Sequence, residues 1–225
     1  MRQIKKSKLE LRGLLIGMVL GDGTLSKVTS KQNSRLLIGH SIKQKDYCRY
    51  KLELVSNLLR IGYSAKDYNV FNNKTNKEYS IYQGSTKVHR YLTKLRSILY
   101  DSTGTKVVTS KILNYLTLEG LAFWFQDDGG VAFNNKRKTI NGLYISTQNF
   151  TYNEHLIIKE YFKNKYAIEC KVHNHGKKKY RIFFNKTNSI KFLSIIEKFK
   201  HIVFNYKFIL NYREYINSIK NEEKL

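Results

Sequence analysis

The sequence predicts an α+β protein built from two pseudo-symmetric αββαββα halves, residues 8–103 and 104–220. Three observations lead there. An apolar run that ends in Asp-Gly occurs twice, as Leu15 to Gly23 and as Leu121 to Gly129, with Asp22 and Asp128 106 residues apart (128 − 22). Behind each copy the apolar spacing repeats the same order of segments. No Pro/Gly/Ser-rich linker separates the copies, so the halves are expected to pack tightly, joined by residues 101–111.

In the first half, Leu15–Leu20 reads as helix, stopped by Gly21 and Gly23. Gly13, Gly17 and Gly21 recur every fourth residue on it, a flat strip along which a second helix backbone can approach closely. Leu36–His40 reads as a strand after a polar stretch. Tyr47 to Leu59 is helical by spacing, with Tyr47, Tyr50, Leu54, Leu58 and Leu59 on one stripe. Tyr68–Phe71 and Tyr79–Tyr82 flank a turn-rich stretch, Asn72 to Lys77, and read as a hairpin. Val88 to Leu99 is again helical.

The second half follows suit. Leu121 runs to Gly129 as helix, Gly142 to Gln148 reads as a strand, and Leu156 to Phe162 lies in a helix. Cys170–His173 and Tyr180–Phe184 form a hairpin turning near Gly176 and Lys177, and Ile190 to Phe199 is helical. Phe208 to Ile219 reads as an added helix.

The paired acids carry the chemistry. Each ends a helix, where the macrodipole is negative and a carboxylate costs about 0.3–1 kcal/mol. A single Asp-Gly is an ordinary turn. Two copies on matching helices are better explained by a cation near both acids.

Composition bounds the partner. Lysine and arginine number 41 against 17 acidic residues, a net charge of +24, which points to a polyanion and above all to nucleic acid. The chain has no proline and four alanines, at 65, 122, 132 and 167, with abundant Lys, Asn, Ile, Tyr and Phe. That skew matches an A/T-rich genome, as in an organelle such as a mitochondrion, a low-GC bacterium or a phage, and it accounts for part of the lysine excess. Cys48 and Cys170 are isolated and read as buried thiols in a reducing, intracellular compartment. The start Met1 to Lys6 is basic without a following cleavable apolar core, and Leu14 to Leu20 is too short to span a bilayer, so no membrane partner is expected.

Leu15 to Gly23 and Leu121 to Gly129 resemble the two signature motifs of single-chain LAGLIDADG homing endonucleases. The resemblance continues from Leu116 through Gly130, through Ser146 to Thr151, and through Asn205 to Phe208, covering nearly the whole chain. It implies that the two motif helices pack side by side at a pseudo-two-fold axis. Each half would lay a curved antiparallel sheet along double-stranded DNA. Asp22 and Asp128 would hold divalent metal, Mg²⁺ with Mn²⁺ as a substitute, between the scissile phosphates. Asp127 falls opposite Gly21 in this alignment and is read as a neighbour, not a ligand.

Lys106, in Lys106-Val107-Val108-Thr109, resembles the family's basic residue near one active site, and Lys207 resembles its partner. Gln148 resembles the polar strand residue that helps order active-site water, with His40 or Ser41 as its counterpart. Phe123 stands where the first motif has Gly17, so the helix pair is less symmetric than the family pattern and the two strands are expected to be cut at different rates.

The function expected from these residues is metal-dependent hydrolysis of both strands at a long non-palindromic site by a monomer. The alternative is an RNA-binding maturase of the same fold that assists intron splicing. Lys136-Arg137-Lys138 and Lys177-Lys178-Lys179 are candidate phosphate contacts. His173-Asn174-His175 spells the name of an unrelated nuclease motif whose residues are not adjacent, and is set aside.

Overall fold

The first motif helix is apolar around almost its whole circumference, which a helix tolerates only at the centre of a fold. In the computed structural model, which describes residues 6–224 apart from 28, 30, 31, 74, 75, 177 and 178, it is α1 (Lys8–Leu20). Ser7 caps it through a reciprocal capping box with Glu10, and Gly13 to Leu20 are all buried. Its twin is α5 (Leu118–Asp128), which starts where the Thr117 hydroxyl accepts the Gly120 N–H at 3.1 Å.

The two helices cross in direct backbone contact. A Cβ added at Gly17 would overlap the Gly120 carbonyl, one at Gly120 would overlap the Gly13 carbonyl, and one at Gly21 would overlap the Asp127 carboxylate. The glycine strip of α1 is thus the seam between the halves. Gly17→Val is expected to destabilise the protein by about 1–3 kcal/mol or more, because two backbones must part. Gly62→Ala is the control: its new Cβ meets only the Lys87 side chain, at 3.6 Å. Thermal melts of the two variants check this, and equal midpoints would contradict it.

Each half then builds the same sheet. The first half contributes β1 (Thr24–Ser26), β2 (Arg35–Ser41), α2 (Lys45–Leu59), β3 (Tyr63–Asn72), β4 (Lys77–Thr86) and α3 (Arg90–Leu99). A short α4 (Ser110–Tyr115) precedes the second motif helix. The second half adds β5 (Gly129–Asn134), β6 (Thr139–Ile145), α6 (Tyr152–Tyr166), β7 (Lys171–Asn174), β8 (Tyr180–Asn185) and α7 (Lys186–Ile196). A 3-10 stretch (Ile202–Phe208) and α8 (Tyr212–Lys224) complete the chain. Both sheets are antiparallel, in the orders β1-β2-β4-β3 and β5-β6-β8-β7, the same topology twice. β2 alternates buried and part-exposed residues, as expected of a sheet with helices on one face only.

The expected elements are present, with shifts that have local causes. The first hairpin is longer than its apolar residues suggest, with ten residues in each strand. Its exposed Tyr68, Val70, Phe71 and Tyr79 cover no core, so alternation alone does not mark its ends. The strand expected at Gly142 to Gln148 ends instead at Ile145. Beyond it the Thr147 hydroxyl bonds the buried His155 ring at 2.8 Å, which folds the chain into a turn that carries Gln148. The added helix begins at Tyr212, not Phe208, because residues from Ile202 through Phe208 form the 3-10 stretch. Cys48 and Cys170 are buried and free. Lys177 and Lys178, singled out in the sequence, and Lys74 and Thr75, within the stretch expected to turn, lie outside the described residues.

Candidate active site

The lower ends of α1 and α5 gather three carboxylates and three lysines. α5 runs through Asp128, whereas α1 stops at Leu20 and leaves Asp22 one residue past its cap. Gly21 N–H still bonds Gly17 O at 3.1 Å, and Gly23 N–H reaches back to Met18 O at 2.8 Å. Asp22 is the more open acid, its side chain 43% exposed. The Asp128 carboxylate accepts no hydrogen bond and forms no ion pair among the described residues.

Two lysines close the helix ends. Lys106 Nζ donates to Gly21 O at 3.0 Å. Lys207 Nζ donates to Gln126 O at 2.6 Å and to Asp127 O at 3.3 Å. Each ammonium thus meets the last carbonyls of a motif helix, where the macrodipole favours a cation. Lys106 sits on a segment held by Val108 N–H donating to Glu154 Oε1 at 2.7 Å.

The charges perturb one another. Burial, then repulsion from Asp22 and Asp127, pushes the Asp128 carboxyl up to about 7. Burial and Asp127 raise Asp22 as well. Burial pulls Lys207 down to about 8 and also lowers Lys106. The His40 ring is driven to about 4 by burial and by Lys51, so it is neutral where Nδ1 faces Asp22 Oδ2 at 3.4 Å.

These observations test the fit of a metal. A pair of carboxylates raised first by burial and then by neighbouring acids, one of them unpaired, is an all-oxygen donor set of the kind hard divalent cations take with water and phosphate as further ligands. Asp22, His40 and Asp127 also bring one ligand atom each within 4.8 Å of one another. Asp127 is committed elsewhere, however. Its carboxylate is fully buried and receives Lys51 Nζ at 2.9 Å on both oxygens, Tyr47 OH at 2.9 Å and Asp22 N–H at 3.0 Å. A cation there would have to displace a buried ammonium. Asp22 and Asp128 are the better pair.

Of the residues singled out in the sequence, Asp22, Asp128, Lys106 and Lys207 converge on this spot. Gln148 lies in the turn after β6, half-buried, and its side chain makes no hydrogen bond among the described residues. The register identifies its counterpart. Thr24 pairs with Leu37 and Gly129 with Ile145, so Asp22 stands opposite Gly39 and Asp128 opposite Ser146. Gly39 and Ser146 are 107 apart (146 − 39), which matches His40 to Thr147 and Ser41 to Gln148. The left-handed caps of α2 and α6, Arg60 and Ala167, keep the same spacing (167 − 60).

Sequence reasoning missed Lys51 and Tyr47. The signal was present: Lys51 falls on the buried stripe Tyr47, Cys48, Leu52, Val55 of α2, where a lysine needs a buried partner.

Comparison with known proteins bears on the family and the fold. Residues 12–192 match the model of the LAGLIDADG DNA endonuclease family. A RecA protein of Mycolicibacterium flavescens is 24% identical over 208 residues, 89% of this chain and 46% of that protein. The chain thus spans about half the length of the first such relatives it matches. The DNA endonuclease I-ChuI of Chlamydomonas applanata is 26% identical over 87% of this chain and 93% of its own. The homing endonuclease I-WcaI, solved bound to its DNA recognition sequence, shares the fold with a TM-score of 0.80 at 22% identity, covering 93% of this chain and 90% of that one. With both signature helices in place and the match spanning most of its length, this chain belongs to the LAGLIDADG DNA endonuclease family.

Proposed function

We propose that the chain is a site-specific DNA endonuclease that hydrolyses one phosphodiester bond in each strand of a duplex, with divalent metal held by Asp22 and Asp128. The observation that carries this reading is the pair of partly buried, raised carboxylates at twin helix ends between two open-faced sheets. I-ChuI is named a DNA endonuclease and I-WcaI is solved on its DNA, which supports the same substrate class here. The +24 charge supports a phosphate backbone as the main source of affinity. Among the described residues no helix is long and apolar enough to cross a membrane.

Bound at the two acids, Mg²⁺ or Mn²⁺ would lower the pKa of a water and neutralise charge on the phosphate. The protein's own groups do the rest. Asp22 and Asp128 fix the site at the ends of two rigid helices. Lys106 and Lys207 hold ammonium groups beside them, placed to stabilise charge that builds on the phosphate, and Lys207, lowered to about 8, can also exchange a proton at Nζ near neutral pH. Gln148 and Ser41, at matched positions past β6 and at the end of β2, are placed to order water. One chain carries both sites, so a monomer can cut both strands of an asymmetric sequence. RNA chaperoning does not use the paired acids, and their presence favours cleavage over splicing assistance.

The test is direct. The protein is expected to linearise a plasmid carrying the joined sequences that flank its reading frame in Mg²⁺, and to leave it supercoiled in EDTA. Linear product in EDTA would overturn the metal assignment, and no cleavage under either condition would overturn the reading as a whole.

A further inference from the structure

Asp127 has no counterpart in the other half. Its mate by motif alignment is Gly21, and the mate of Lys51, by the 107-residue spacing that relates α2 to α6, is Ile158. A fully buried ion pair across the seam, Lys51 of the first half with Asp127 of the second, therefore has as its pseudo-symmetric mate only a buried isoleucine and a glycine.

The pair does something specific to Asp22. α1 ends before this residue, and its N–H has no backbone acceptor: Gly21 and Gly23 take Gly17 O and Met18 O, and the amide between them points away. It donates to Asp127 Oδ2 at 3.0 Å. Lys51, from α2, and Tyr47, one turn earlier, hold that carboxylate in place. The Asp128 amide needs no such prop, because it lies inside the last turn of α5.

We infer that Lys51 and Asp127 form a bracket that positions Asp22 alone, so that one of the two active sites is buttressed across the seam and the other is not. Both are positioning residues that act through the Asp22 backbone. Asp127 is the poorer metal ligand because Lys51 and Tyr47 occupy it. The strand-cutting part of this inference rests on the nuclease reading; the backbone part does not.

Removing both charges together avoids leaving one buried and unpaired. In Asp127→Ala/Lys51→Met, amide exchange at Asp22 in the metal-free protein, read by NMR, is expected to speed up by about tenfold, the equivalent of one lost hydrogen bond, with Asp128 unchanged. On a duplex whose strands carry different end labels, the ratio of the two cutting rates is expected to shift by about tenfold or more from the wild-type ratio. Asp127→Asn/Lys51→Met keeps an acceptor for the Asp22 N–H and is expected to restore both readouts. If the first variant fails to fold, Asp127→Gly/Lys51→Ile, which copies the pairing of the other half, takes its place.

A merely structural role would slow both strands equally and would not be rescued by Asn; that result overturns the inference. So does unchanged exchange at Asp22. A wild-type protein that cuts neither strand removes the nuclease reading, and the amide exchange then decides the bracket by itself.

Discussion

Asp22→Asn and Asp128→Asn are each expected to lower double-strand cleavage by about 10³-fold or more, while DNA binding in Ca²⁺ stays within a few-fold. The amide keeps the shape of the side chain and removes the charge that would hold metal. An ordinary Asp-Gly turn predicts the opposite, because Asn supports the same turn and activity would stay near wild type. Gel separation of nicked and linear plasmid, with filter binding alongside, distinguishes the two.

The same substitution has a stability signature in the metal-free protein. Asp128 titrates at about 7 in the fold, against about 3.9 for an unfolded aspartate. A carboxyl raised on folding makes the native state bind more protons, so stability falls as pH rises between those values and levels off above the upper one. Asn does not titrate. Asp128→Asn is therefore expected to gain in melting midpoint over wild type from about pH 4 to about pH 7, and to hold that gain at pH 8. A gain that shrinks with rising pH would contradict the burial and repulsion argued for this site.

The second large effect is electrostatic. If about six phosphates are neutralised, DNA affinity is expected to fall about 10³-fold between about 50 and 200 mM salt, since released counterions dominate the binding free energy. A flat response would remove the basic surface from the interface. Replacing Lys177, Lys178 and Lys179 together by Ala is expected to reduce the slope, because these three basic residues follow in sequence on β7, the edge strand of the second sheet. An unchanged slope would take them out of the footprint.

The duplicated topology was legible because it rests on local signals: apolar spacing, a glycine stop, a turn. Asp22 and Asp128 were legible for the same reason, since each sits at a helix end that the sequence marks. The glycine strip of α1 was legible too, and its partner, the Gly120 backbone, emerged only when the helices were seen to cross. Lys106 and Lys207 are different. Nothing local separates them from the other basic residues, and only the resemblance pointed to them; their shared habit of capping a motif helix is a tertiary fact. The Lys51–Asp127 pair joins residues 76 apart (127 − 51) on helices of opposite halves, and no periodicity encodes that. β6 stops early because Thr147 answers a buried histidine from the next helix, again a partner outside any local window.

The seam also bears on how such a molecule can be re-engineered. Its halves are complementary, not interchangeable. Gly17 meets Gly120 because one helix supplies a glycine where the other carries Phe123, and Gly120 corresponds in turn to Leu14. A dimer of two first halves would set Leu14 against Gly17, and a dimer of two second halves would set Phe123 against Gly120. Neither lets the backbones approach as they do here. Shuffling halves between relatives, or symmetrising this chain to read a palindrome, therefore requires that the two crossing helices be exchanged as a matched set, with the sheets grafted onto them afterwards.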